Sequence, residues 1–210
     1  DPAQDPLNKA YEALRARQFD KAIEQFRKAV AAAPSRASIR KDLAYAYLKT
    51  GETEAAREEF AEAMRLAPED QQAALEYAFL SNDTGRTAEA RRIFDRIRKS
   101  GGEEARATAE QAFQNIDRPL QEGIARWTKA LEASPNDFSA HHELARLAER
   151  RDDHELASAH YLRAWELRPE LRGLLVNLAK VWKAQGREEP TKAAALAASR
   201  KTSLWPYATR

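Results

Sequence analysis

The chain has 210 residues, of which 43% are hydrophobic and 32% charged, and its formal net charge is +2. That balance excludes a disordered chain, which is poorer in apolar residues and more one-sided in charge, and it is too mild for the basic stripe of a nucleic-acid binder. The absence of cysteine excludes disulfides, thiol catalysis and cysteine-based zinc sites.

Asp1 to Pro6 is polar and holds no signal-peptide core. No later stretch approaches the roughly 18 apolar residues of a membrane span. The compartment is left open between cytoplasm and periplasm or envelope. A first helix is expected around Leu7, Ala10, Tyr11 and Leu14. In the next, Ala22, Phe26 and Ala29 stand at spacings of four and three, which share one helix face. Pro34 closes it, because proline lacks the backbone donor and pushes its predecessor out of helical geometry. A helix over about Ala37 to Lys49 follows, with Leu43, Ala44 and Tyr47 on one face and Gly51 as its stop. Its partner carries Ala56, Phe60, Ala63 and Pro68. The third pair has Tyr77, Ala78, Ser81 and Gly85, then Ala90, Phe94 and Ile97. No proline follows it; Ser100-Gly101-Gly102 stands there instead. A fourth pair is expected from a helix over Glu104 to Asn115 and another through Gly123, Trp127 and Ala130, ending at Pro135. The fifth is marked by Leu144, Ala145 and Ala148, then Ala157, Tyr161, Ala164 and Pro169. The sixth is marked by Leu178, Ala179, Trp182 and Gly186, then Thr191, Ala195 and Ala198.

These elements repeat. Ala22, Ala56 and Ala90 are 34 residues apart, and Gly123, Ala157 and Thr191 continue at steps of 33, 34 and 34. A small–large–small stripe lets a second helix approach at the small residues and interlock around the large one. Leu43-Ala44 with Tyr47, Gly51, Ala56, Phe60, Ala63 and Pro68 resembles the tetratricopeptide repeat motif almost throughout, and the period covers nearly the whole chain. The pentatricopeptide RNA binders, the nearest confusable family, do not keep this alanine–aromatic–alanine–proline pattern. The resemblance implies an all-α, right-handed superhelical solenoid in one domain over residues 1–210. It would have about six helix-turn-helix units (3–36, 37–70, 71–103, 104–137, 138–171 and 172–201), about twelve helices, and a tail at 202–210. Leading helices would line a concave groove and second helices an outer wall, each unit resting mainly on its neighbours.

Two places depart from the pattern. At Ser100-Gly101-Gly102 the period slips, and the next helix places Glu110 and Gln111 where other units have an apolar–small pair. This is either a tolerated degenerate repeat or a bend or hinge near 100–103. At the end, Pro190 to Lys201 reads as a capping helix, and Leu204, Trp205 and Tyr207 are expected to fold back over the last repeat or to dock on a neighbour.

No catalytic constellation stands in the sequence: no phosphate loop, no nucleophile elbow, no dinucleotide fingerprint. His141, His142, His154 and His160 lack the spacing of a helical metal site. The chain is therefore expected to be no enzyme, to hold no metal and to need no cofactor. Mapped by spacing, the groove candidates are Tyr11, Lys41, Tyr45, Lys49, Leu75, Phe79, Asn82, Asn115, His142, Arg146, Arg150, Lys180 and Lys183. Aromatic residues concentrate at the N-terminal end, where apolar side chains could be buried. Positive charge concentrates at the C-terminal end, where an acidic group could be held by charge-assisted hydrogen bonds. The carboxylate clamp of chaperone-binding relatives is not reproduced, since Leu7, Tyr11 and Glu76 stand at its places. The resemblance implies a non-catalytic scaffold binding a peptide or partner protein, of bacterial appearance. Self-assembly through terminal repeats, or service as the recognition region of a longer envelope or secretion protein, are the alternatives. Nucleic-acid binding and membrane insertion are not expected.

Overall fold

Alanine beside phenylalanine on one helix face makes a notch with a knob in it, and the computed structural model, which describes residues 1–199, buries that stripe completely. Ala22, Phe26 and Ala29 are 0% exposed, and so are Ala56, Phe60 and Ala63. Among the described residues the fold is all-helical. The helices are α1 (Gln4–Arg15), α2 (Phe19–Ala32), α3 (Ala37–Thr50), α4 (Thr53–Leu66), α5 (Gln71–Asp83), α6 (Thr87–Ser100), α7 (Glu103–Ala133), α8 (Phe138–Arg150), α9 (His154–Leu167), α10 (Gly173–Ala184) and α11 (Glu188–Ser199). They form two compact units, residues 1–114 and residues 115 onward, divided within α7.

In the first unit each helix from α1 to α5 packs on its successor. Short connections force such neighbours to run antiparallel. Two of the turns rest on a left-handed glycine, Gly51 at φ +80° and Gly85 at φ +82°, a conformation that only glycine adopts without strain. Asp70 caps α5 by accepting from Ala73 N–H at 3.0 Å. At the junction after α6, Gly102 N–H donates to Gln71 Oε1 at 2.8 Å. A side chain at Gly101 would lie 2.6 Å from the carbonyl oxygen of Ile97, so glycine there is a requirement of packing.

The second unit buries a core of Ala145, Tyr161, Leu174, Leu178, Val181 and Trp182, among others. Asp137 and Asp153 cap α8 and α9 through backbone donors at 2.8–3.1 Å. Gly186 at φ +71° ends α10, and Asp152 at φ +61° serves the same turn after α8. The expected final helix is present as α11, with Pro190 in its first turn, where a missing donor costs nothing. Leu204, Trp205 and Tyr207 lie outside the described residues.

The fourth repeat differs from expectation. Its two helices are one, the 31-residue α7 with Pro119 inside it, so among the described residues eleven helices stand where about twelve were expected. Arg118 and Pro119 stand 33 and 34 residues after Gly85, so no glycine holds the place of the turn. An internal proline costs a helix about 3 kcal/mol through the lost hydrogen bond and ring clash. A polar clasp offsets that cost. Gln121 donates to Asp117 across the proline, and Arg151 grips the same carboxylate with Nε at 2.9 Å and a terminal nitrogen at 3.1 Å. Asp117 is 1% exposed; a carboxylate so buried is tolerated only when paired in this manner. Gly123, where other repeats place alanine, admits Leu147, whose Cδ1 would lie 2.8 Å from an added Cβ.

Candidate interaction surface

The leading helices of the first unit carry one ring each in the same register. Tyr11 on α1, Tyr45 on α3 and Phe79 on α5 are 39%, 37% and 40% exposed. These exceed the exposure of ordinary core aromatics, yet the rings are not loose. Each meets the buried phenyl of its own repeat nearly edge to face: Phe26 at 5.4 Å, Phe60 at 5.1 Å and Phe94 at 4.9 Å between centroids. Such pairs contribute about 0.5–1.5 kcal/mol beyond area burial. The stripe that closes the repeat therefore also props up a ring at the surface.

The phenols reach one repeat forward. Tyr11 donates to Asp42, and Tyr45 donates to Glu76 at 3.2 Å. Gln72 Nε2 donates to the same Glu76 oxygen at 3.0 Å. Burial lifts the Tyr11 phenol to about 12, with Asp42 adding to the rise, and burial lifts Tyr45 in the same direction. Both phenols thus remain protonated donors around neutral pH. Spacing had singled out the rings and not these carboxylates, although Asp42, Glu76 and Glu110 recur every 34 residues.

Beside Phe79 the surface opens into a cleft of about 490 Å³. Leu75 and Phe79 give it an apolar floor; Glu76, Glu103 and Glu104 line it, and no lysine or arginine does. Of the other candidates in this unit, Lys41 forms an ion pair with Asp70, Lys49 is exposed in the last turn of α3, and Asn82 is half-buried. Leu75 is largely buried and presents only its edge to the cleft.

Asn115, His142, Arg146, Arg150, Lys180 and Lys183 belong to the second unit. Asn115 is exposed on α7. His142 stacks on Phe138 at 5.7 Å. The cations are partly neutralised: Arg146 pairs with Glu143 at 3.1 Å and Lys180 with Glu149 at 2.6 Å. Glu149 also accepts from the Tyr161 hydroxyl at 2.7 Å. Arg150 and Lys183 are exposed.

One histidine pair stands apart from this surface. His141 Nε2 lies 3.0 Å from the Pro135 carbonyl oxygen, so it must carry a proton and donate. His141 Nδ1 is then an acceptor for the His160 Nδ1–H at 2.7 Å. Burial, reinforced by His141, holds the His160 pKa below its ordinary value. Among the described residues no three histidine or acidic side chains gather as a metal site, and no helix is long and apolar enough to cross a membrane.

Two models of the tetratricopeptide repeat match the chain, one over residues 7–71 and the other over residues 51–112, together about half its length. Curated protein sequences yield no match. Among solved structures the chain is similar to the P58(IPK) TPR domain, with 19% identity, a TM-score of 0.51 and coverage of 94% of this chain and 60% of that one. It is also similar to PilW, described as a widely conserved type IV pilus biogenesis factor, at 19% identity and a TM-score of 0.46 over 92% of this chain and 90% of that one. PilF of Pseudomonas aeruginosa is similar at 16% identity and a TM-score of 0.46, covering 93% and 89%. Likeness at these identities concerns the fold alone. Tetratricopeptide repeats generally mediate protein–protein interaction and are typically non-catalytic. With the repeat period, the buried alanine–aromatic–alanine stripe, the helix pairs and the matching family models in hand, the chain belongs to the tetratricopeptide repeat family.

Proposed function

We propose that this chain is a non-catalytic scaffold whose partner segment binds along the leading helices of the first unit, over Tyr11, Tyr45 and Phe79. The observation that carries this reading is the row of three exposed rings, each seated on a buried phenyl of its own repeat. Aromatic side chains that are exposed and held in place supply contact area at small entropic cost on binding. The acidic-ligand reading of the second unit has less to draw on, because Arg146 and Lys180 already have carboxylate partners.

The test is selection of ligands from a displayed random peptide library, followed by titration of each ligand against Tyr45→Ala and Phe79→Ala. Loss of one central aromatic at an interface costs about 2 kcal/mol or more, so affinity should fall at least about tenfold in each variant. Circular dichroism confirms that both remain folded. Selected ligands that bind both variants as well as the parent chain place the site elsewhere.

A further inference from the structure

We infer that the first unit's ring surface takes a basic segment of a partner protein, with lysine or arginine side chains set beside successive rings. This deepens the proposed groove and rests on it. Several carboxylates of the unit are met by cations: Asp1 by Arg36, Asp5 by Lys9, Glu59 by Arg40, Asp70 by Lys41. On α6, Asp95 is met by both Arg98 and Lys99. Asp42 and Glu76 are different. Their donors are the neutral phenols of Tyr11 and Tyr45 and the neutral amide of Gln72. A neutral hydrogen bond orients a carboxylate without cancelling its charge.

Each of those charges sits against an exposed aromatic ring. A ring face attracts a cation through its quadrupole, weakly at an exposed site. An exposed ion pair adds a comparably small amount. Neither amounts to much alone; the arrangement gains from repetition. Tyr11 with Asp42 and Tyr45 with Glu76 are the same pair one repeat apart, and a segment with regularly spaced cations engages both once the first is bound. The cleft beside Phe79 continues the pattern, with an apolar floor of Leu75 and Phe79 and the carboxylates of Glu76, Glu103 and Glu104. The nearby cations are committed: Arg36 to Asp1 and Lys41 to Asp70. Lys49 is the exposed cation at the far end of α3. An acidic segment or a nucleic-acid backbone would meet repulsion along this row.

Three fluorescein-labelled heptapeptides test the inference on the full chain: Arg-Ala-Leu-Arg-Ala-Leu-Arg and its counterparts with glutamine or glutamate for every arginine. Titration by fluorescence anisotropy should give the arginine peptide an affinity at least about tenfold above the glutamine peptide. The glutamate peptide should be weakest, and the preference for arginine should shrink as salt is added. In the double variant Asp42→Asn with Glu76→Gln, the phenols keep an acceptor and the rings stay in place. That variant should bind the arginine and glutamine peptides alike. Equal affinities for the two in the parent chain, or an arginine preference that survives the double substitution, overturns the basic-partner inference. If the peptides bind equally and Tyr45→Ala with Phe79→Ala abolishes binding, the groove stands and only its charge preference is wrong. If binding persists when both rings are removed, groove and inference fall together.

Discussion

The two units put different chemistry at one structural position. In the first unit that position holds Tyr11, Tyr45 and Phe79; one and two periods beyond the fourth repeat it holds Arg146 and Lys180. The rings rest on Phe26, Phe60 and Phe94, and their phenols, where present, reach forward to Asp42 and Glu76. The cations turn instead to Glu143 and Glu149 and are half satisfied within their own unit. Phe113, also of the first unit and in the same register, is buried, with the guanidinium of Arg98 4.1 Å and that of Arg91 5.1 Å from its ring centre. A repeat backbone therefore fixes where a side chain emerges and leaves open whether it is offered to a partner. What decides is the local set of neighbours: a phenyl beneath holds a ring outward, whereas a cation above covers it.

The comparison is sharpened most by the buried member of a ring pair. Phe60→Ala should cost the first unit about 3–5 kcal/mol, the range for a phenylalanine removed from a closed core. Tyr45→Ala, which removes the exposed partner, should cost nearer 1 kcal/mol. Urea denaturation of both variants measures the difference. Equal losses would mean that the exposed ring is itself structural, which would weaken its assignment to binding.

The next effect belongs to the second unit. Asp117→Ala removes the buried carboxylate that bridges Pro119 and takes from Arg151 its ion-pair partner at that site. Breaking a buried pair from one side costs roughly 3 kcal/mol. Native-state hydrogen exchange should show the loss in residues 115–199 and little change in α1 to α5. A uniform loss through both units would show that they unfold as one.

The smallest effect is the response to acid, and it separates the units by composition, because all four histidines lie at residue 141 or later. The His160 pKa is held below its unfolded value by burial and by His141. Its neutral form is therefore favoured by folding. The resulting stability is fully present above the unfolded pKa of about 6.5 and is lost as pH falls through the lower folded value. Hydrogen exchange taken from pH 7 toward pH 5 should show selective loosening of α8 and α9, and His160→Gln should flatten that dependence. Loosening of equal size in α3 and α4 would assign the effect to general acid destabilisation.

Much of this was readable from the chain. Ala56, Phe60 and Ala63 announce a closely packed helix pair because a small–large–small stripe has few other uses, and Gly51 and Pro68 announce its ends because their backbones permit little else. The rings of Tyr11, Tyr45 and Phe79 were legible by spacing alone. The fused α7 was not: a helix over Glu104 to Asn115 and a separate one through Gly123 were expected, and the clasp that carries one helix through Pro119 comes from Arg151, distant in sequence. Nor were the carboxylate partners of the phenols, which lie in the next repeat.

Sequence by itself determined the repeat, its period, its buried stripe and the register of the exposed rings, because these follow from helix geometry and the volume of side chains a few residues apart. Tertiary structure decided which carboxylates beside those positions meet a neutral donor and which meet a cation. That depends on contacts between helices, where Asp42 meets a phenol and Glu149 meets Lys180, and no local pattern in the chain encodes which of the two a carboxylate will find.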